Sequence, residues 1–286
     1  MLPLTEFSNT LVLVTGATGA VGPYVVHTLN REGFRIRTFS ADVPFSGMLP
    51  ENTEVMIGDV TDRIAVRAAM QGMDAVVHLA ALLHIANPPA EMNEKYEYVN
   101  VRGTETVVKE AVKAGVKRIV FFSTIAVYGS SNGQVLNEQS PVHPDTVYAQ
   151  TKLTAEQIVM DARDKNNQPV GTVLRLGAVY GSRVKGNYER LVHALACHRF
   201  VPIGNGLNRR TLIYDQDVAR AALLAVTHPA AAGRIFNVTD GRFHTLSEII
   251  QAICSALGRK PPRLSMPLMP VRAAAGAAGP APAPAR

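Results

Sequence analysis

Apolar residues along the chain fall in short unbroken runs, each followed by a stretch in which they recur at helical spacing. Leu11 to Thr15 (LVLVT) is one such run and reads as a buried strand. Val21 to Leu29 follows with helical periodicity. Phe34 to Phe39 (FRIRTF) alternates as a second strand, and Val55 to Ile57 makes a short third. Thr61 then stands as an N-cap for a helix over Asp62 to Met70. Asp74 to Leu79 (DAVVHL), Lys117 to Ser123 (KRIVFFS) and Val170 to Leu176 are further buried strands. Long helices are expected over Glu91 to Ala114, closed by Gly115, and over Thr146 to Asp164.

Strands that are apolar throughout and alternate with helices imply a parallel sheet covered on both faces, an α/β doubly wound fold of Rossmann type. In such a sheet the ligand lies beyond the carboxyl ends of the strands, where strand order reverses. That rule gathers Gly16 to Gly22, Asp59, Ala80, Ala81, Ser123 and Thr124 around one crevice. From Gly181 the alternation becomes irregular, with helical stretches near Asn187 to Cys197, Asp215 to Thr227 and Thr245 to Leu257. The expected organisation is a dinucleotide-binding domain over 1–180 and an interleaved, smaller substrate lobe over 181–270. The Ala/Pro/Gly/Arg run of 271–286 (VRAAAGAAGPAPAPAR) cannot build a core and is expected to be disordered.

Composition narrows the class. At 286 residues, 47% hydrophobic and 18% charged, the chain is long enough for a large globular core. No run approaches the ~18 apolar residues of a membrane span, and MLPLTEFSNT does not read as a secretory signal. Cys197 and Cys254 lack any metal-ligand or disulfide spacing, so no metal is expected and a cytoplasmic location is. Net charge is +6, but Lys and Arg are scattered with no basic block. Nucleic acid is therefore not an expected partner, and a phosphate-bearing small molecule suits the charge equally well.

Two features carry candidate chemistry. Gly16, Gly19 and Gly22 stand three apart between strand and helix, in G-x-x-G-x-x-G. Glycine permits a tight turn and close backbone approach, while the helix N-terminus favours an anion such as a pyrophosphate. Tyr148 and Lys152 (YAQTK) lie four apart and share a helix face. An ammonium near a phenol favours the phenolate and would make Tyr148 a usable acid or base near neutral pH. A hydroxyl at the strand end, Ser123 or Thr124, could donate to an oxygen undergoing oxidation. His78 reads as a packed strand residue, because no acidic partner is evident, and His84 as a loop residue.

These pieces occur in a recognisable order. TGATGAVG (15–22), GDVTD (58–62), VVHLAA (76–81), NVRGTETVV (100–108), FFSTIAVYG (121–129), YAQTK (148–152) and LRLGAVYG (174–181) come first. GNG (204–206), RTLIYDQDVARA (210–221) and FNVTDG (236–241) continue the series. From about residue 10 to residue 265 the chain resembles the extended branch of the short-chain dehydrogenase/reductase family, the nucleotide-sugar epimerases and dehydratases.

The resemblance implies a NAD(P)-dependent 4-epimerase, or a 4-keto reductase, acting on a UDP-sugar. By position, Gly16, Thr18, Gly19, Ala20, Val21 and Gly22 would meet the cofactor pyrophosphate. Asp59 and Val60 would meet the adenine, and Leu79, Ala80 and Ala81 would line the path to the nicotinamide. Tyr148 would transfer the proton, and Lys152 would hold the nicotinamide ribose and lower the Tyr148 pKa. Thr124, with Ser123 beside it, would face the substrate, as would Asn187 and Arg210 in the second lobe. Arg209 competes with Arg210, and a helix N-cap is the alternative role for Asn187. His84 falls near a sugar-contacting position of some members.

The resemblance also implies a homodimer through the helices Glu91 to Ala114 and Thr146 to Asp164. NAD is the expected cofactor and NADP the alternative. The position that usually carries an acid for the adenosine ribose falls near Ser40, with Asp42 and Arg37 close by. The match fades near Pro267, where the composition has the look of a truncated or frame-shifted end. Two other readings stay open: a steroid or dihydroflavonol-type alcohol dehydrogenase of the same branch, and a dinucleotide-binding regulator without catalysis.

Overall fold

The structure is a computed structural model and describes residues 9–83, 89, 91–131, 133–263 and 265–266. The chain opens with β1 (Leu11–Thr15), α1 (Gly22–Arg31), β2 (Arg35–Ser40), β3 (Glu54–Ile57), α2 (Arg63–Met70) and β4 (Ala75–His78). It continues through α3 (Glu91–Tyr96), α4 (Thr104–Ala114), β5 (Arg118–Thr124), α5 (Val147–Met160), β6 (Gly171–Leu176) and β7 (Ala178–Tyr180). The remaining elements are α6 (Asn187–Ala196), β8 (Arg209–Tyr214), α7 (Asp215–Thr227), β9 (Arg234–Val238), β10 (Phe243–Thr245) and α8 (Leu246–Ala256).

Seven strands pair in the order β3-β2-β1-β4-β5-β6-β9, all parallel. The order reverses between β1 and β4, where Thr15 stands opposite both Phe39 and His78. Alternate residues of each strand feed one of two cores. Val12 and Val14 pack with Val25, Val26 and Leu29 of α1 and Val218 and Ala222 of α7. Leu13 and Val76 pack on the other face with Val66 and Met70 of α2, Val107 and Ala111 of α4, and Val159 of α5. The central strands β1, β4, β5 and β6 are buried on both faces and have no solvent side to alternate with, which is why they read as near-unbroken apolar runs. Edge strand β3, in contrast, is largely exposed.

Two expected elements differ in detail. Asp62, not Thr61, caps α2, accepting from the amides of Ile64 and Ala65. Thr61 instead donates through its amide and its hydroxyl to Asp59 Oδ1. A carboxylate is the stronger acceptor for helix N–H groups, and that decides the competition. The helix expected over Glu91 to Ala114 contains a π-helical stretch, Glu97–Gly103, between α3 and α4. Apolar spacing alone cannot register such an insertion.

The chain divides into two compact units: residues up to Arg183 together with Ile213–Thr239, and Val184–Leu212 together with the residues from Asp240. The first holds the parallel sheet. In the second, Arg209 to Thr211 pair antiparallel with Phe243 to Thr245. There α8 starts in a capping box, Thr245 Oγ1 accepting from the Glu248 amide and Glu248 reaching back to the Thr245 amide.

Candidate active site

The turn after β1 is shaped to receive something close to its backbone. Gly16 has φ +70° and donates its amide to the Phe39 carbonyl. A Cβ there would stand 2.6 Å from the Ala80 amide nitrogen, so the turn after β1 and the exit of β4 touch backbone to backbone. Only glycine fits. At the start of α1, Val21 provides no side-chain cap and Pro23 occupies the first turn. The first turn of the helix therefore has N–H groups that no capping side chain takes, the arrangement that binds an anion.

Parallel pairing sets the carboxyl ends of the neighbouring strands beside this turn. Ser40, at the end of β2, is buried and its Oγ has no hydrogen-bond partner among the described residues. Arg37 is already committed: its Nη1 donates to the carbonyls of Ala69 and Gln71, and its Nε lies 2.9 Å from Glu54. Beyond β3, Asp59 is exposed and Val60 is buried in the core. Beyond β4, Leu79, Ala80 and Ala81 are half-buried. Glycine contacts no side chain could replace, an uncapped helix end and an orphaned hydroxyl at the β2 tip together fit an extended dinucleotide.

At the end of β5 the two hydroxyls part ways. Ser123 Oγ donates to Glu156 Oε1 at 2.5 Å in the interior, whereas Thr124 is half-buried and caps the next turn by accepting from the Ala126 amide. Glu156 also receives three hydrogen bonds from Arg175, whose Nη1 donates to Tyr128 Oη. Ser123 thus serves a buried ion pair, which leaves Thr124 as the hydroxyl open to a ligand.

Helix α5 begins with Thr146 capping the Ala149 amide, so Tyr148 lies in its first turn and Lys152 one turn later. The Tyr148 ring meets Tyr96 edge-on at 6.0 Å between centroids. Lys152, 3% exposed, holds its Nζ 4.0 Å from the centroid of the Phe121 ring. Burial pushes Lys152 down to about 7, against an upward pull from Glu156. Burial, reinforced by Tyr96, pushes Tyr148 up to about 12. The expected lowering of the Tyr148 pKa by Lys152 is thus not a property of the protein alone, because desolvation, with Tyr96 beside the phenol, sets the Tyr148 value.

A buried polar chain, not foreseen from the sequence, runs behind these residues. Thr15 Oγ1 lies 2.6 Å from His78 Nδ1, and His78 Nε2 lies 3.0 Å from Thr104 Oγ1. Asn100 clasps the backbone of Leu82 through both its side-chain atoms and reaches Thr151, whose hydroxyl donates to the Tyr148 carbonyl. His78 is the packed strand residue expected, and burial, with Lys152 nearby, pushes it down to about 3. The one local signal was the spacing of Asn100 and Thr104, four residues apart.

In the second unit Asn187 is the first residue of α6 and exposed, and Gly186 holds the cap position, so Asn187 is not the N-cap. Arg210 is the arginine whose charge reaches Tyr188, next to Asn187, and it is exposed, as is Arg209. His84 and the run 271–286 lie outside the described residues. Among the described residues no group of three or more His, Cys, Asp or Glu could hold a metal, and no helix is long and apolar enough to cross a membrane.

Over 260 residues the chain is 30% identical to an N-acetyl-alpha-D-glucosaminyl-diphospho-ditrans,octacis-undecaprenol 4-epimerase of Escherichia coli O157:H7, covering 91% of this chain and 76% of the relative. It is 28% identical to a UDP-glucose 4-epimerase of Vibrio cholerae, covering 90% and 79%. The solved structure of MoeE5 in complex with UDP-glucose and NAD matches with a TM-score of 0.76 at 26% identity, over 90% of this chain and 84% of that one. The family model of the NAD dependent epimerase/dehydratase family matches residues 12–239, and the chain belongs to that family.

Proposed function

We propose that the protein is an NAD-dependent 4-epimerase of a UDP-sugar, with Tyr148 as its acid and base. The observation that carries this reading is the placement of Thr124, Tyr148 and Lys152 within the unit whose Gly16 turn and bare α1 N-terminus fit a dinucleotide. Two 4-epimerases among the relatives support it.

In this reading the α1 amides and the Gly16 to Gly22 turn hold the cofactor pyrophosphate. Asp59 and Val60 flank the adenine, and Leu79 to Ala81 line the path to the nicotinamide. Bound NAD supplies a hydride acceptor at the sugar C4 and a donor for its return to the opposite face. Tyr148 Oη takes the C4 hydroxyl proton as that carbon is oxidised and gives it back on reduction. Thr124 donates a hydrogen bond to the same oxygen, opposing charge that develops there. Lys152 holds the ribose hydroxyls, and its ammonium pulls the phenol down from the value set by burial. Asn187 and Arg210 take the sugar-nucleotide diphosphate, where a planar guanidinium pairs with two oxygens at once. The active form is a homodimer through the helical stretches Glu91 to Ala114 and Thr146 to Asp164.

Incubation with UDP-glucose and NAD, followed by separation of the nucleotide sugars, is expected to yield UDP-galactose. No conversion of UDP-glucose or UDP-N-acetylglucosamine overturns the epimerase reading. Consumption of NADH with a UDP-4-keto sugar identifies instead a 4-keto reductase working with the same residues.

A further inference from the structure

Thr15, His78, Thr104, Asn100 and Thr151 come from β1, β4, the π-helical stretch with its flank, and α5. All five are buried. None touches the reacting atoms in the mechanism above, yet they meet in one hydrogen-bonded chain.

The direction of every bond in that chain follows from donor and acceptor accounting. Thr104 Oγ1 donates its one proton to the Asn100 carbonyl at 2.6 Å, so toward His78 it accepts, and Nε2 of His78 carries the hydrogen. On the other side, Thr15 Oγ1 accepts from the Ala80 amide at 3.3 Å. Its own proton has no other acceptor among the described residues, and His78 Nδ1 takes it at 2.6 Å. The imidazole is therefore neutral, bare at Nδ1 and protonated at Nε2. Further along, Asn100 Oδ1 accepts from the Leu82 amide at 2.8 Å, and Nδ2 donates to the Leu82 carbonyl at 3.1 Å and to Thr151 Oγ1 at 3.3 Å. Thr151 passes its proton to the Tyr148 carbonyl at 2.8 Å. The His78 ring also packs on Phe121, the ring beneath Lys152.

The two ends of this chain matter. One is the Ala80 amide, which abuts the Gly16 turn. The other is the backbone of Tyr148. We propose that His78, as the Nε2–H tautomer, is a positioning residue that locks the exit of β4 to the first turn of α5 and so sets the Tyr148 hydroxyl against the bed on which a dinucleotide lies. The inference rests on the catalytic reading of Tyr148 and adds the group that aligns it. A cationic or Nδ1–H imidazole would break the sequence of donors at Thr15. Lys152 is the charged group facing the ring, and its ammonium opposes a second positive charge there.

Two measurements test it. The first is long-range nitrogen–proton NMR of the full-length, nitrogen-15-labelled protein with and without NAD. His78 is expected to show a protonated Nε2 and a bare Nδ1 that do not change between about pH 5 and pH 8. Titration in that range, or an Nδ1–H tautomer, overturns the proposal. This readout does not depend on turnover, so it stands even if UDP-glucose is not a substrate.

The second measurement compares His78→Phe, which keeps the ring volume, with His78→Gln, which restores a donor and an acceptor, and with Thr15→Val should the Phe variant fail to fold. The Phe and Val variants are expected to lose at least about tenfold in kcat. Their calorimetric Kd for NAD should stay within about threefold, because the Leu79 amide still bonds the Thr15 carbonyl. The Gln variant should recover most of the kcat. An unchanged kcat, or equal losses in the Phe and Gln variants, shows a packing role only and overturns the proposal.

Discussion

Ser123 Oγ lies 2.5 Å from Glu156 Oε1, whereas Thr124, one residue further along β5, is half-buried at the strand end. Adjacent residues of a strand point to opposite sides, so two hydroxyls that look equivalent in sequence have different work. Ser123→Ala removes a donor from a buried carboxylate and is expected to cost ~1–3 kcal/mol of stability with activity largely kept. Thr124→Val also removes the cap on the Ala126 amide, so it is expected to cost ~1 kcal/mol of stability and to lower kcat about a hundredfold, the loss typical of one oxyanion donor. Thermal melts and steady-state kinetics on the two variants, side by side, separate the roles.

Tyr148→Phe removes only the phenolic oxygen from a ring that packs against Tyr96. The fold and NAD affinity should persist while epimerisation falls by about 10² to 10⁴, the range of general acid–base catalysis. Calorimetry with NAD and a UDP-galactose assay give both numbers. A variant as active as the parent removes Tyr148 from the mechanism.

Lys152 gives stability a distinct pH dependence in the cofactor-free protein. Its pKa is about 7 when folded and near the ordinary 10.5 when unfolded. Between these values the unfolded chain holds a proton that the folded chain has released, so stability rises with pH across that window. Below about 7 the whole cost of keeping an ammonium inside is present. Lys152→Met should therefore stabilise the protein most below pH 7, with the gain vanishing toward pH 10.5. His78, lowered to about 3 from 6.5, works in the same sense at acid pH, and its contribution is lost as pH falls from 6.5 toward 3. Urea midpoints across the pH range for parent and variants check both windows.

Much of this was legible beforehand because the local rules agree with one another. The apolar runs from Leu11, Asp74 and Lys117 mark strands buried on both faces, and their ends fall within one or two residues of those observed. The Tyr148–Lys152 spacing and the Gly16 turn are local and survive translation into three dimensions. What escaped depends on neighbours distant in sequence. The pKa values of Tyr148 and Lys152 are governed by burial under Tyr96 and over Phe121, which no spacing within α5 encodes. Thr151 looks like filler between them until Asn100, from another helix, lands on it. Ser123 looks like a second catalytic hydroxyl until Glu156 and Arg175 claim it.

Gly16→Ala tests the contact between the turn and β4. A left-handed residue with a Cβ costs ~1–2 kcal/mol on backbone grounds alone. Gly72, at φ +75° with nothing within 4 Å of an added Cβ, carries the same backbone cost and no clash. Gly72→Ala is thus expected to lower stability and leave NAD affinity unchanged. Gly16→Ala must also move Ala80 and should weaken NAD binding at least about tenfold. Equal affinities in the two variants would remove the turn from the cofactor site.

The Arg175–Glu156 pair separates stability from function. Its side chains are 5% and 3% exposed, and three hydrogen bonds at 2.7 to 3.1 Å join them. Removing one partner strands the other charge in the core, so Arg175→Met is expected to cost ~3–5 kcal/mol. Replacing both with apolar residues, as in Arg175→Met with Glu156→Leu, removes the stranded charge and should return most of that stability. Activity should not return with it. Glu156 is the group that pulls Lys152 toward its charged form, and that pull is lost with it. The double variant is therefore expected to melt close to the parent yet epimerise poorly near neutral pH, where Lys152 would be largely neutral. Denaturant melts and pH–rate profiles on the two single variants and the double variant read the two effects independently. Full activity in a stable double variant would mean that the pair serves the fold alone.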